Sequence, residues 1–174
     1  MRTCILKTFI IIFYKITVFR NLRIRIPDIW NENVITQHIC RCNSSFHKHK
    51  RYDWIALLNT QIKESDRKAD ISDYSFGCLQ LLFEFGHESD IYHLAYIQHY
   101  TRRTEQDQET GMWVLDQTKS YEIVPVSSII RNVHLIPFFD NQRSASDALL
   151  EDEITFNTYL LNHHSDRYTF FNFF

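Results

Sequence analysis

The chain predicts a mainly β fold, on three observations. Apolar side chains recur at every second position in segment after segment, the spacing of a strand buried on one face. Polar, turn-forming stretches interrupt these segments roughly every dozen residues. No helical period links one strand to the next, which excludes a parallel sheet built from βαβ units. The expected architecture is a small, partly open β-barrel or sandwich of about seven to eight strands with a short C-terminal helix.

The elements follow in order. In NLRIRIP (21–27) Leu22, Ile24 and Ile26 alternate with Arg23 and Arg25, and Pro27, which has no amide to donate, ends the strand. YDWIALLN (52–59) is aromatic and apolar enough for a buried strand. FGCLQLLFEFG places Leu79, Leu81, Phe83 and Phe85 on one face and Gln80, Leu82 and Glu84 on the other. IYHLAYIQHY (91–100) repeats the pattern with Tyr92, Leu94, Tyr96 and Tyr100, and the linker GHESD marks a hairpin between the two. TRRTEQDQETG (101–111) is polar and aperiodic, which predicts an exposed loop before the strand MWVLD. YEIVPVSSIIRNVHLIPFF predicts a strand, a turn and a further strand, with Pro125 and Pro137 confined to ends or edges. After the polar connector DNQRSASDALLEDE, TFNTYLLN is a last strand, and SDRYTFFNFF is the closing helix with Ser165 as its N-cap.

A length of 174 residues suits one domain with a real core. The 44% hydrophobic and 23% charged composition is globular and excludes disordered or collagen-like material. The net charge of −2 conceals an asymmetry. Residues 1–51 carry ten Lys/Arg against Asp28 and Glu32, whereas residues 52–174 carry nine against nineteen acids. Clustered cations raise the local potential and release counterions from phosphate, so the basic arm points to nucleic acid or to an acidic surface, its own body included.

Cys4, Cys40, Cys42 and Cys78 are too few and too unevenly spaced for a disulfide framework, which favours reduced thiols in nucleus or cytoplasm. The N-terminus has the basic start and apolar middle of a secretory signal. Lys7 and Lys15 confine its uninterrupted apolar run to TFIIIFY, however, and no small-residue cleavage site follows.

Three constellations bear on function. Cys40, Cys42, His47 and His49 offer two thiolates and two imidazoles, an acceptable zinc set, and a tight turn at NSSF would bring them together. Their C-x-C-x4-H-x-H spacing departs from the usual knuckle, so the expectation is no metal site, with the cysteines as small buried hydrophobes. Arg20, Arg23 and Arg25, with Lys48, Lys50 and Arg51 beside Tyr52 and Trp54, combine cations with aromatic faces, as single-strand binders do on small barrels. Trp54, Tyr96, Tyr100 and Trp113 could line an aromatic cage for a methylated lysine, or serve as core. Catalytic groups do not assemble: His93, His99, His134, His163 and His164 lack a nucleophile elbow or a His-Glu-x-x-His pair, and three glycines leave no material for a phosphate loop.

Seven phrases, ITVFRNLRIRIPDI, HKHKRYDWIAL, CLQLLFEFG, LAYIQHY, GMWVLD, YEIVPVSSIIRNVHLIPFF and YLLNHHSDRYTF, taken in that order, resemble the C-terminal region of Plavaka-type and related CACTA-like transposase proteins, which transposons of mushroom-forming fungi encode. The resemblance covers residues 16–172 and leaves residues 1–15 as a non-matching extension ahead of a single β-rich domain, 16–174. It implies an accessory domain that follows a DDE-type catalytic core, none of whose carboxylates has a counterpart here. VPVSSIIRNVHLIPFF also resembles bromo-adjacent-homology barrels, which read chromatin proteins.

The expected function is therefore a noncatalytic, cofactor-free accessory domain, nuclear or cytoplasmic, that binds DNA or a chromatin protein through a basic face. Small-molecule substrates and membranes have no evident site. A peptide- or histone-tail-binding module is the alternative. A small secreted binder is a third, and it would require removal of Met1–Phe19.

Overall fold

The computed structural model describes residues 15–27, 33–58, 71–87, 89–139 and 156–165. The strands are β1 (Lys15–Phe19), β2 (Asn21–Pro27), β3 (Ile35–Phe46), β4 (His49–Tyr52), β5 (Trp54–Leu58), β6 (Tyr74–His87), β7 (Asp90–Gln106), β8 (Trp113–Pro125), β9 (Ile129–Val133), β10 (Leu135–Pro137) and β11 (Thr158–Leu161). They form an eight-stranded antiparallel sheet in the order β10-β11-β8-β7-β6-β5-β9, with β1 paired to the outer half of β6, and a three-stranded sheet β2-β3-β4. The fold is mainly β. Among the described residues there is no α-helix and no closed barrel, only single 3₁₀ turns at Ile71–Asp73 and Val126–Ser128. The predicted connector 140–153 and the predicted closing helix beyond its N-cap Ser165 lie outside the described residues.

The half of the large sheet around β5 buries both of its faces. Ala56, Phe76 and Tyr100 are direct partners across β5, β6 and β7. They belong to a core with Cys78, Leu115, Val133, Leu135 and Leu161, flanked by Trp54, Trp113 and Tyr159. Strands β5 to β11 all contribute to this core, so the sheet curls around it. The end strands β9 and β10 are separated in the chain by His134 alone, and the Asn162 amide N–H donates to the His134 carbonyl at that corner (2.9 Å).

On the opposite face Ile55, Leu57, Leu79, Leu82, Ala95, Ile97 and Ile129 pack against Cys40 and Cys42, with Leu22 and Ile24 behind them. This second core fastens the small sheet to the large one. Burying side chains of this size stabilises by about 1.5–3 kcal/mol each. His38 Nδ1 donates to Asn132 Oδ1 across the same junction (2.7 Å).

Several strands differ from their sequence-based expectation, each for a local reason. A β-bulge between Leu79 and Leu81 inserts one residue in β6. Leu79 and Leu82 therefore share the buried face, while Leu81, Phe83 and Phe85 point the other way. The stretch 52–59 is two strands, because the chain passes from the small sheet to the large one at Asp53, whose carbonyl accepts the Leu79 N–H (3.0 Å). The expected loop at 101–111 is mostly strand: β7 runs on to Gln106 as a solvent-facing hairpin arm. The turn itself is Asp107–Met112, where Asp107 accepts the Thr110 N–H (2.8 Å) and hydroxyl (2.6 Å), and Gly111 adopts φ +69°.

Candidate nucleic-acid interface

The three-stranded sheet has one face inward and one outward. The exposed–half-buried alternation of NLRIRIP turns Leu22, Ile24 and Ile26 inward and Arg23 and Arg25 to solvent. Directly paired residues of antiparallel strands project on the same side. Asn21 pairs with Arg41, Arg23 with Ile39 and Arg25 with Gln37, and on the next strand Asn43 pairs with Arg51. Arg23, Arg25, Arg41 and Arg51 therefore share the outward face. Arg41 lies between Cys40 and Cys42, both buried, so the pleat directs it to water.

Asp53 is the one acidic residue among 15–27 and 33–53, against eight Lys/Arg. Its carboxylate accepts the Arg41 backbone N–H at 2.9 Å and lies 3.5 Å from both the Arg41 and the Arg51 guanidinium. Arg23 and Arg25 make no ion pair with any described residue. Arg51 also sits 5.1 Å over the Phe46 ring, a cation–π contact that leaves an aromatic edge beside the charges.

The other sequence-predicted cations occupy different places. Arg20 is exposed in the bend between β1 and β2, where its carbonyl accepts the Cys42 N–H (3.0 Å). Lys48 is at the tip of the β3–β4 hairpin. Lys50 is exposed too, but the alternation along β4 puts it on the opposite side from Arg51. The structure thus unites Arg23, Arg25 and Arg51, adds Arg41 and separates Lys50. The Cys-Arg-Cys alternation could have identified Arg41 from sequence.

The Cys/His quartet does not converge. Cys40 and Cys42 are buried in the core between the sheets, and the Cys42 thiol donates to the Phe19 carbonyl (3.3 Å). Burial, reinforced by the Asp53 charge, pushes the Cys40 thiol up to about 12, and burial raises that of Cys42 as well. His47 and His49 are exposed at the hairpin end, outside that core. The turn falls at His47 and Lys48, with φ +48° and +70°, rather than at NSSF. Both central residues are left-handed, as a two-residue hairpin turn with the native strand twist requires. Among the described residues no group of three or more His, Cys, Asp or Glu could hold a metal ion.

The four aromatic residues considered as a cage are also divided. Trp54, Tyr100 and Trp113 meet in or beside the core inside the curled sheet, where Tyr100 is buried. The Arg102 guanidinium covers Trp113 at 4.3 Å. Tyr96 lies further along β7 and stacks on Tyr121, with centroids 5.5 Å apart. The remaining histidines are dispersed. His99 pairs with Glu122 (2.7 Å) and His93 with Glu84 (3.4 Å) on the sheet surface, while His163 and His164 contact each other, with centroids 3.9 Å apart.

No protein-family model, curated protein sequence or solved structure matches the chain. No helix among the described residues is long and apolar enough to cross a membrane.

Proposed function

We propose that the chain is a noncatalytic accessory domain, derived from a transposon-encoded protein, that binds nucleic acid through the outward face of its three-stranded sheet. The observation that carries this reading is the convergence of Arg23, Arg25, Arg41 and Arg51, from three strands, on one solvent-facing surface, with Asp53 the single carboxylate paired to it among the described residues. Guanidinium groups on a rigid sheet suit phosphate, which they bind in a planar, bidentate manner. Phe46 beneath Arg51 keeps an aromatic ring beside the charges. In this reading the curled large sheet, whose end strands meet at His134, acts as a partly open barrel carrying the small sheet on its outside. A histone-tail cage is the weaker reading, because Tyr96 stands apart from Trp54, Tyr100 and Trp113, and Arg102 already covers Trp113.

The test is Arg23→Glu/Arg25→Glu, both exposed and unpaired among the described residues. Binding to labelled single-stranded oligonucleotides of several sequences should weaken by at least about tenfold at low salt, and by the same factor for each sequence. Unchanged affinity, or a loss confined to one sequence, contradicts the proposal.

A further inference from the structure

The pairing register sets the outward arginines in a row rather than a cluster. Arg23 and Arg25 are two residues apart on β2, roughly 7 Å along the strand. Arg41 is the partner of Asn21, which makes it the diagonal neighbour of Arg23. Arg51 is the partner of Asn43, which makes it the diagonal neighbour of Arg41. Diagonal neighbours on one face of an antiparallel pair lie about 7–8 Å apart. The order Arg25, Arg23, Arg41, Arg51 therefore crosses the small sheet obliquely from β2 to β4 in nearly equal steps. Asp53 holds the second half of the row in place, 3.5 Å from both the Arg41 and the Arg51 guanidinium. Beyond Arg51 the row meets Phe46 and His49, which pair with each other, and then the Lys48 tip.

We propose that this row is a track for the backbone of one extended single strand, with the arginines on successive phosphates. The inference rests on the nucleic-acid reading above and narrows its ligand. Steps of this size match the repeat of one phosphate per nucleotide in a stretched strand, and a charged surface that follows the backbone is how sequence-tolerant single-strand binders work. A duplex fits less well, because its backbone winds around the helix axis and curves away from a sheet face. Charge alone would favour the opposite ligand, since a duplex carries one negative charge per about 1.7 Å of its axis. Preference between the two therefore separates a fitted row from a diffuse basic patch.

The test titrates the full chain by anisotropy at one low salt concentration. The probes are labelled DNA strands of mixed sequence and increasing length, with the longest also annealed to its complement. Affinity should climb steeply up to about five to seven nucleotides, where the four arginines and the hairpin tip are all engaged, and then level off. The longest strand should bind about fivefold or more tighter alone than as a duplex. Both comparisons use the unaltered chain, so neither depends on how a variant folds. Arg23→Glu should weaken single-strand binding about fivefold or more. Lys50→Glu makes the same charge change at an exposed site on the other side of the sheet, and should cost less than about twofold. A duplex bound as tightly as the strand, affinity that climbs without a plateau, or equal losses from the two substitutions each overturns the track while leaving the basic face as the nucleic-acid site. Absence of binding to every probe overturns the track together with the reading it rests on.

Discussion

Asp53 accepts the backbone N–H of Arg41 at 2.9 Å and sits 3.5 Å from the same residue's guanidinium. One carboxylate thus anchors the point where the chain leaves the small sheet and also moderates the charge of the basic face. These two roles predict opposite effects. Asp53→Ala leaves a backbone donor unsatisfied and should lower unfolding stability by about 1–3 kcal/mol, yet it releases Arg41 and Arg51 and should tighten nucleic-acid binding. Asp53→Asn retains an acceptor and should recover most of the stability. Denaturant unfolding and anisotropy titration on the same proteins check both effects.

The hairpin tip offers a gain in stability. His47 and Lys48 both hold left-handed backbone, which costs residues bearing a Cβ about 1–2 kcal/mol each. His47→Asn/Lys48→Gly supplies the pair that such turns favour. The double variant should be more stable by about 1–2 kcal/mol in urea unfolding. A destabilised variant would mean that the two side chains make compensating contacts.

Acid should weaken the fold through two groups. The bidentate Arg103 pair (2.7 and 2.9 Å) and the Thr158 hydroxyl (2.9 Å) hold the Asp116 carboxyl below its usual range. Desolvation, with His164 alongside, depresses His163. In both cases the unfolded chain binds protons more readily than the folded one, so stability rises with pH across the affected window. The His163 contribution is lost as pH falls below the ordinary histidine value, and that of Asp116 below the ordinary carboxylate value. Thermal melts from pH 8 to 3 should decline in both windows. Asp116→Asn should flatten the lower one and His163→Gln the upper.

Thiol chemistry separates a structural from a metal-binding role. Burial pushes Cys40 and Cys78 up to about 12, so neither is a ready thiolate at neutral pH. In the native protein Cys40, Cys42 and Cys78 should resist iodoacetamide at pH 8 while reacting fully in urea. Tightly held zinc at one equivalent in the purified chain would overturn this assignment.

The strands were legible wherever one face is wet. NLRIRIP matches β2 residue for residue because its arginines face solvent, and the prolines at 27, 125 and 137 each end a strand as their missing amide dictates. Period two failed where geometry depends on the partner strand. The bulge at Leu79–Leu81 reverses the faces of β6 without any glycine or proline to announce it. The polar arm of β7 pairs with β8 although nothing apolar marks it. Of the site, Arg23, Arg25 and Arg51 were visible in the sequence. Arg41 has Ile39 and Asn43 at strand spacing, so no second cation on its own strand marks the face, and the row it completes depends on a strand register that no local pattern encodes.

Salt dependence of single-stranded DNA binding tests the central claim most directly. If the arginine face and hairpin tip neutralise four to six phosphates, the logarithm of the association constant should fall with the logarithm of salt at a slope of about −3 to −4. The Arg23→Glu/Arg25→Glu variant should have a distinctly shallower slope. A slope near zero, or one that the substitutions leave unchanged, contradicts the account.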